Sequence, residues 1–424
     1  MKVAGTVRVP GDKSITHRVL LLAALARGMS QITGALTSLD ARSSARVLRQ
    51  LGAGVSPLRQ GAATTVQGRG SLRRPIETLD CGNSGTTTRL LLGVLSAHQF
   101  SATLTGDRSL RRRPMRRVTA PLSAMGARFI EQDGDGLPLT IEGARLQPLS
   151  YEMPVSSAQI KSAILLAGVA GEVPVSVREP HGRSRDHTER LLRAFGYGVV
   201  ENDGWVRFRP EGRIEPFDIQ VPGDPSSAAF LVGAAILAEG GELNLSGVGV
   251  NPTRIGFLDV LRRMGGWVEI SDTTTHFGEP VGDLLVRPGA LRGTEVTAGE
   301  IPGLIDEIPL LAVLASRAEG VTAFRQVGEL RVKESDRLGL IAENLRAVGA
   351  RAEVVGDDLI VEGGHRAPRG RVRTAADHRL AMAFAVLRTL PRAEIRIDDM
   401  ACAAVSFPGF SETMRMIRQR KSRS

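Results

Sequence analysis

The sequence predicts an α/β protein of two lobes, in which parallel apolar helices are buried and β-strands surround them. Three observations predict this class: an apolar helix begins at nearly regular intervals, an amphipathic helix follows each one, and short strand-like segments separate them. The spacing indicates one structural unit used six times, with successive gaps of 71, 72, 69, 80 and 71 residues. The six helices begin at Ser14, Gly85, Ser157, Ser226, Asp306 and Asp377.

The first helix of each unit is apolar on nearly every side, as in residues 19–26 and 380–387. A helix of this kind is buried, because it has no polar face to turn to water. The second helix has an apolar stripe, as in residues 188–195, and we expect it on an outer surface. Helices inside and strands outside make an inside-out α/β arrangement.

A strand is expected between the two helices of each unit, and a glycine corner after the second helix. Glycine just past a helix end adopts the left-handed conformation without steric cost. The expected strands are Ser101–Thr105, Val173–Val177, Glu242–Leu245, Val321–Phe324 and Glu394–Ile397. The expected corners are Gly52, Gly126, Gly196, Gly265 and Gly349.

Six units around one core would be unusually large, so we expect two lobes of three units each. Residues 11–223 form one lobe, residues 1–10 and 224–424 form the other, and 418–424 are a solvated basic tail. Because all buried helices run the same way, their N-termini emerge on one face of each lobe. We therefore expect the six helix starts to line a cleft between the lobes.

The composition favours small anions as ligands. The net charge is +10, yet only 4% of the residues are aromatic, and no RNA-reading motif accompanies the basic residues. We therefore expect no nucleic-acid partner. The longest apolar stretch, 228–238, is too short for a membrane span, so we also expect no membrane partner. With only two cysteines and no signal peptide, the chain is expected in the cytoplasm.

Residues suited to holding anions stand at several helix starts, where unpaired N–H groups and the helix dipole favour negative charge. Lys13 and Arg18 flank Ser14, and Gly85 allows close approach to the backbone. Pro114 is expected as the first residue of a helix, which would place Arg113 at its start. Simple capping explains the serines equally well.

Two acidic segments suggest proton transfer. In residues 331–337, Lys333 and Arg337 could hold anions while Glu334 moves a proton, although a surface ion-pair network is an equal alternative. Asp306 stands at a helix start and could act as a base. The seven histidines lack metal-ligand spacing and no GxGxxG follows a strand, so we expect neither a metal nor a cofactor.

Eight motifs in order resemble the enolpyruvyl transferases, and in particular the members that act on shikimate 3-phosphate. The resemblance covers the whole chain except the basic tail, and it implies a two-lobed inside-out α/β barrel with three βαβαββ repeats per lobe. The motifs are PGDKSITHR at 10–18, GNSGTTTR at 82–89, RRP at 112–114, SSAQIKSA at 156–163, RDHTE at 185–189, LIDEIP at 304–309, RVKESDR at 331–337 and DHRLAMA at 377–383.

The resemblance implies transfer of the enolpyruvyl group of phosphoenolpyruvate to the 5-hydroxyl of shikimate 3-phosphate by a monomer, with Asp306, Glu334 and Lys13 as catalytic residues. It implies two binding sets. Shikimate 3-phosphate would contact Lys13, Ser14, Arg18, Ser157, Ala158, Gln159, Arg185, Asp306 and Lys333. Phosphoenolpyruvate would contact Lys13, Gly85, Arg113, Gln159, Arg337 and Arg379.

Two departures from the family pattern concern this site. Val405 stands where many members carry a lysine, and Ala158 replaces a serine of some members. Gly85 is the form associated with glyphosate sensitivity, and Val405 leaves that sensitivity open. Two alternatives also stay open: a sister enzyme acting on UDP-N-acetylglucosamine, although residues 105–118 lack its loop cysteine, and a nucleic-acid-binding protein on a related repeat fold.

Overall fold

The computed structural model describes residues 2–132, 134–180 and 182–419, and the chain divides into two compact units. Unit 1 comprises Met1–Pro10, Pro222–Thr274 and Pro280–Ser424, and unit 2 comprises Gly11–Val221 and Thr275–Glu279. The predicted division into two lobes that close on a ligand stays a prediction.

Fourteen α-helices lie in the described part of the chain, and two 3₁₀ helices accompany them at Gly328–Val332 and Ala401–Val405. The α-helices are α1 (Lys13–Leu25), α2 (Leu39–Gln50), α3 (Gly85–Leu95), α4 (Arg108–Arg111), α5 (Arg116–Ala124), α6 (Ala158–Gly171), α7 (His187–Ala194), α8 (Pro225–Ile236), α9 (Gly256–Arg263), α10 (Ile301–Leu304), α11 (Ile308–Ala315), α12 (Arg337–Ala347), α13 (His378–Leu387) and α14 (Phe410–Met416).

The strands are short and form separate small sheets. They are β1 (Lys2–Val3), β2 (Gly5–Val7), β3 (Arg27–Thr33), β4 (Gly54–Val55), β5 (Thr64–Arg69), β6 (Leu79–Asp80), β7 (Ser101–Thr105), β8 (Arg128–Glu131), β9 (Leu139–Glu142), β10 (Leu149–Glu152), β11 (Val175–Arg178), β12 (Gly198–Asn202), β13 (Trp205–Arg209), β14 (Asp218–Gln220), β15 (Leu243–Gly249), β16 (Trp267–His276), β17 (Glu279–Arg287), β18 (Glu295–Val296), β19 (Val321–Phe324), β20 (Arg351–Val355), β21 (Asp358–Glu362), β22 (Arg369–Val372), β23 (Glu394–Ile397) and β24 (Arg418–Gln419).

Unit 2 contains three four-stranded sheets with one shared pattern, in which a parallel pair is followed by two antiparallel strands. The orders are β14-β3-β5-β4, β6-β7-β9-β8 and β10-β11-β13-β12. The first sheet takes its parallel edge strand, β14, from the far end of the unit. Closure of the three repeats is therefore cyclic.

Unit 1 repeats this pattern, and the pairing of its N-terminal strand explains why its chain is discontinuous. Strand β2, near the N-terminus, pairs in parallel with β15 and completes the sheet of the fourth repeat, β16-β17-β15-β2. Sheet β18-β19-β21-β20 belongs to the fifth repeat, and the β22-β23 pair belongs to the sixth.

The end of the chain differs from the expectation of a tail that begins at residue 418. Arg418 and Gln419 form strand β24, which pairs antiparallel with β1. Pairing the backbone satisfies N–H and C=O groups that a free tail would expose to water. The remaining residues of the predicted tail, 420–424, lie outside the described residues.

The apolar first helices form the core of each unit, as predicted. In unit 2, α3 packs against α1 and α6; in unit 1, α8, α11 and α13 pack together. Hydrogen bonds and ion pairs join the N-terminal turns within each set, for example Gln159 to Thr86 and Arg379 to Glu307. Packed helices whose N-termini meet run in the same direction, so the expectation of parallel buried helices is confirmed.

The local predictions agree closely with the observed elements. Each first helix begins within two residues of its predicted start, and strands β7, β19 and β23 have the predicted bounds. All five corner glycines have positive φ, between 80° and 114°. No helix among the described residues is both long and apolar enough to cross a membrane.

Gly93 decides how closely α3 and α6 approach. A Cβ atom at this position would lie 2.2 Å from the carbonyl oxygen of Ala163, so no side chain fits without moving one helix. We predict that Gly93→Ala lowers the free energy of unfolding by about 1–3 kcal/mol through overpacking. Urea denaturation measures this change. Gly256→Ala is the control, since its nearest neighbour would be 3.7 Å away; equal stability of the two variants would contradict the prediction.

Candidate active-site residues

A single buried arginine organises the acidic residues of unit 1. Arg337, 1% exposed, places its Nε 2.7 Å from Oδ2 of Asp377 and its Nη2 3.3 Å from Oδ1 of the same carboxylate. Nη2 also lies 2.6 Å from Oε2 of Glu334, and Nη1 lies 3.4 Å from Oδ1 of Asp306. The bidentate pair fixes the plane of the guanidinium group, and that plane orients the other two carboxylates.

Burial and charge act in opposite directions on the pKa values of this cluster. Burial tends to lower the pKa of Arg337, but the carboxylates around it outweigh burial and raise it. Burial likewise tends to raise the pKa of Asp377, and the charge of Arg337 outweighs it, so this pKa is lowered. For Lys333 burial prevails over the attraction of Asp306, and its pKa is lowered.

A second arginine holds Asp306 from the other side. Arg379, in the first turn of α13, donates from Nη1 to the backbone carbonyl of Asp306 at 3.0 Å and places Nη2 3.6 Å from its carboxylate. Its Nη1 is also 3.6 Å from Glu307, whose carboxylate accepts a hydrogen bond from Ser226 at 2.5 Å. The starts of α8, α11 and α13 are thereby joined by charged and polar contacts.

In unit 2, Lys13 is the first residue of α1 and forms an ion pair of 3.2 Å with Asp40 of helix α2. Asp12 caps α1, since its carboxylate accepts a hydrogen bond from the backbone N–H of Ile15. Lys13 therefore belongs to the first turn of a buried helix, and its ammonium group is held by a carboxylate of the neighbouring helix.

Arg18 lies deeper than its sequence motif suggests. It is 2% exposed, and it donates to the carbonyl of Ser14, the hydroxyl of Ser162 and the hydroxyl of Thr188 at 2.7–2.9 Å. Burial lowers its pKa to about 10, and the positive charge of Arg185 acts in the same direction. It therefore stays protonated at neutral pH and lies within electrostatic range of Arg185.

Several residues predicted to bind phosphoenolpyruvate lie together around the start of α3. A Cβ atom on Gly85 would be 3.0 Å from Nη1 of Arg89 and 3.3 Å from Nη1 of Arg113, so both guanidinium groups reach this glycine. Gln159 accepts a hydrogen bond from Arg89 at 2.6 Å and donates one to Thr86 at 3.1 Å. Two cations beside the first residue of a buried helix suit a small dianion.

The position of Arg113 corrects one local prediction. Pro114 is not the first residue of a helix: Met115 occupies the N-cap position of α5, which begins at Arg116. Arg113 instead lies in the turn between α4 and α5, and its Nη2 donates to Asn83 at 2.8 Å and to Ser109 at 3.3 Å. Side-chain contacts across 30 residues, rather than a helix start, hold this guanidinium.

The remaining predicted residues occupy less enclosed positions. Ser157 occupies the N-cap position of α6 without a capping hydrogen bond from its side chain, and Ala158 begins that helix; both are half-buried. Val405, also half-buried, ends the second 3₁₀ helix. Over the described ranges, no group of three or more acidic, histidine or cysteine side chains is placed to hold a metal ion.

Sequence reasoning missed two residues that complete these sets. Arg89 is the last residue of the GNSGTTTR motif, and its place one helical turn after Gly85 is the signal that could have identified it. Asp377 was read only as a helix start, although it also holds Arg337 from 40 residues away. A contact of that length leaves no local pattern.

Comparison with known proteins places these residues in a family. A sequence model of EPSP synthase (3-phosphoshikimate 1-carboxyvinyltransferase) matches residues 1–414. A 3-phosphoshikimate 1-carboxyvinyltransferase of Gloeobacter violaceus is 47% identical over 99% of this chain and 97% of its own. One of Desulforamulus reducens is 43% identical over 98% and 97%. The structure of EPSP synthase from Acinetobacter baumannii superposes with a TM-score of 0.86 at 38% identity, covering 98% of this chain and 96% of that one.

These relatives, which share the repeat-built α/β fold, define an enzyme of the transferase class. The chain belongs to the EPSP synthase (3-phosphoshikimate 1-carboxyvinyltransferase) family. The resemblance seen in the sequence is confirmed.

A buried hydrogen-bonded chain supports the helix starts of unit 2. The Nδ1 atom of His17 lies 2.8 Å from Oγ of Ser44, which lies 2.7 Å from Oγ1 of Thr87. Thr87 donates in turn to Ser84, the cap of α3. Helices α1, α2 and α3 are therefore connected through polar atoms below the surface.

His17 makes the stability of the protein depend on pH. Burial, followed by the charges of Lys13 and Arg18, lowers the pKa of His17 from 6.5 to about 3. The unfolded chain binds this proton more readily, so stability present above pH 6.5 is lost as the pH falls toward 3.

We predict that the free energy of unfolding of His17→Asn, which cannot titrate at this position, falls by about 2 kcal/mol less than that of the wild type when the pH is lowered from about 7 to about 5. Urea denaturation across this range measures the difference. His276→Asn, at an exposed position, is the matched control and should follow the wild type. Parallel pH profiles for the wild type and His17→Asn would exclude this role for His17.

Proposed function

We propose that this protein transfers the enolpyruvyl group of phosphoenolpyruvate to the 5-hydroxyl of shikimate 3-phosphate and releases phosphate. The observation that carries the proposal is a pair of accessible carboxylates on one buried guanidinium. The side chains of Asp306 and Glu334 are 15% and 22% exposed, whereas Asp377 is completely buried on the same Arg337. Only the first two can exchange protons with a ligand; Asp377 can only orient the arginine.

The reaction needs one proton transfer to C3 of phosphoenolpyruvate, one from C3 and one from the 5-hydroxyl. In our proposal Asp306 accepts the proton of the 5-hydroxyl. The oxygen of that hydroxyl bonds to C2 of phosphoenolpyruvate, while C3 gains a proton. The resulting tetrahedral intermediate then loses a C3 proton as the C2–O bond to phosphate breaks. Glu334 and Lys13 act on C3 in both steps, since each is a positioned acid or base.

We propose Lys13, Ser14, Arg18, Ser157, Ala158, Gln159, Arg185, Asp306 and Lys333 as the binding set for shikimate 3-phosphate. The lowered pKa of Lys333 supports its place, because a partly desolvated ammonium gains most from a bound anion. The charge of Arg185 lowers the pKa of Arg18, so the two guanidinium groups repel each other. An anion bound between them would relieve this repulsion, which supports the place of both arginines in the set.

For phosphoenolpyruvate we propose Lys13, Gly85, Arg113, Gln159, Arg337 and Arg379, and we add Arg89. The contact between Arg89 and Gln159, and the approach of both arginines to Gly85, support this set. Guanidinium groups pair bidentately with carboxylate and phosphate, so the set suits a ligand that carries both.

No metal or organic cofactor enters this proposal, since the proton transfers use side chains alone. We further propose that the protein acts as a monomer in the cytoplasm on these two small anions. Its two cysteines, Cys81 and Cys402, are both buried free thiols, which agrees with a reducing compartment.

A phosphate-release assay tests the proposed function. Purified protein is given phosphoenolpyruvate with shikimate 3-phosphate, and in a parallel reaction phosphoenolpyruvate with UDP-N-acetylglucosamine. We expect phosphate only in the first reaction, accompanied by the enolpyruvyl ether of the shikimate. Phosphate only in the second reaction would favour the sister activity. Salt-sensitive RNA binding without turnover would favour the nucleic-acid alternative.

Asp306→Asn separates binding from catalysis, because the amide keeps an oxygen for its arginine neighbours but cannot accept the proton. We predict a fall in kcat of about 10²–10⁴-fold, with the affinity for shikimate 3-phosphate nearly unchanged. Steady-state kinetics and calorimetric titration measure the two quantities. Asp259→Asn, whose carboxylate is 66% exposed on the same unit, is the matched control. Turnover at the wild-type rate in Asp306→Asn would remove this residue from the mechanism.

A further inference from the structure

A buried lysine of unit 2 has no part in the reaction proposed above. Lys161, 2% exposed, lies in the second turn of α6 between two carboxylates. Its Nζ is 2.8 Å from Oε2 of Glu179 and 2.8 Å from Oε1 of Glu189, and these side chains are 8% and 1% exposed. Charges this deeply buried are costly unless each is paired, so a triad of them is a specific structural element.

The lysine ties down the segment that leads from β11 to α7. Besides the two carboxylates, Nζ donates to the backbone carbonyl of Ser184 at 3.3 Å. Oε2 of Glu179 also accepts from the backbone N–H of Ser184, at 3.2 Å. The start, middle and end of the segment are thus held on one ammonium group, and Arg185 is the next residue after the central contact.

The same lysine is anchored to the start of its own helix. The backbone N–H of Lys161 donates to the carbonyl of Ser157 at 3.0 Å, one turn earlier. Its neighbour Ser162 accepts hydrogen bonds from Arg18 and from Thr188, both at 2.7 Å. The distances between the start of α6, the Arg185 segment and Arg18 are therefore set by one buried layer.

The charges of this layer favour the same arrangement. Burial tends to lower the pKa of Lys161, but Glu189 and Glu179 outweigh it and the pKa is raised, so the lysine stays protonated. Glu189 of the triad also raises the pKa of Arg18, whereas Arg185 lowers it. Two repelling guanidinium groups can thus remain close together before an anion arrives.

We infer that Lys161 is a positioning residue for the phosphorylated substrate: it acts through Arg185 and the start of α6 and touches no ligand itself. The inference rests on the proposed function. It predicts a defect mainly in the binding of shikimate 3-phosphate, since Arg113 of the phosphoenolpyruvate set is held by Asn83 and Ser109, and Gln159 is the one member of that set on the same helix as Lys161.

The test compares the KM values of Lys161→Met for the two substrates. We predict that KM for shikimate 3-phosphate rises at least about tenfold, as expected for a displaced charged hydrogen bond, while KM for phosphoenolpyruvate changes by less than about twofold. Calorimetric titration of shikimate 3-phosphate should give the same loss of affinity. A purely structural role would lower the melting temperature or the active fraction without selecting one substrate.

Two further variants make the result decisive. Glu179→Gln weakens the triad but leaves Glu189 on the lysine, and it should show the same selective rise if Lys161→Met does not fold. Glu152→Gln is the matched control, because its carboxylate forms an exposed pair with Arg178 at 3.3 Å.

Equal rises in both KM values, or an unchanged KM for shikimate 3-phosphate in Glu179→Gln, would overturn the inference. If the wild type itself releases no phosphate from the two substrates, the proposed function fails and the inference fails with it. If the wild type turns over and Glu179→Gln behaves as Glu152→Gln does, only the role of Lys161 fails.

Discussion

Burial of a helix on every face leaves only its ends in contact with water or a ligand. Six helices of this chain, three in each unit, are constrained in this way, and within each unit their N-terminal turns are joined by polar contacts. Unpaired N–H groups and the positive end of the dipole collect there. The polar chemistry of each unit is concentrated at these ends because the apolar helix bodies exclude it elsewhere.

The two units meet this constraint with opposite chemistry. In unit 1 the helix starts bring carboxylates onto arginines, and the bidentate pair of Arg337 with Asp377 orients the accessible acids. At the helix starts of unit 2, Arg18 and Arg89 donate hydrogen bonds to hydroxyl, amide and carbonyl oxygens. Neutral acceptors add no negative charge of their own, and in our proposal unit 2 supplies most of the anion-binding residues while unit 1 supplies two of the three acid–base groups.

Several capping residues have a second role at these helix starts. Asp377 accepts the backbone N–H of Arg379 and pairs with Arg337, and Asp224 caps α8 and pairs with Arg254. Because one carboxylate both caps the start of the helix and orients a cation, the backbone of that helix start determines the position of the cation. Lys161 also has two roles: its backbone N–H donates to Ser157 at the start of α6, and its ammonium group holds the segment that begins at Glu179.

The sequence by itself determined the repeat, the starts of the buried helices, the glycine corners and the family, because apolar periodicity, turn chemistry and contiguous motifs are local properties. It could not show that Arg18 is buried on Thr188, that Arg89 meets Gln159, that Pro114 precedes a cap rather than beginning a helix, or that Lys161 lies between two glutamates. The contacts of Arg18, Arg89 and Lys161 join residues that are between 18 and 170 positions apart in the sequence. Tertiary packing brings such residues together, within one repeat for Lys161 and between repeats for Arg18 and Arg89, and distance along the chain carries no record of it.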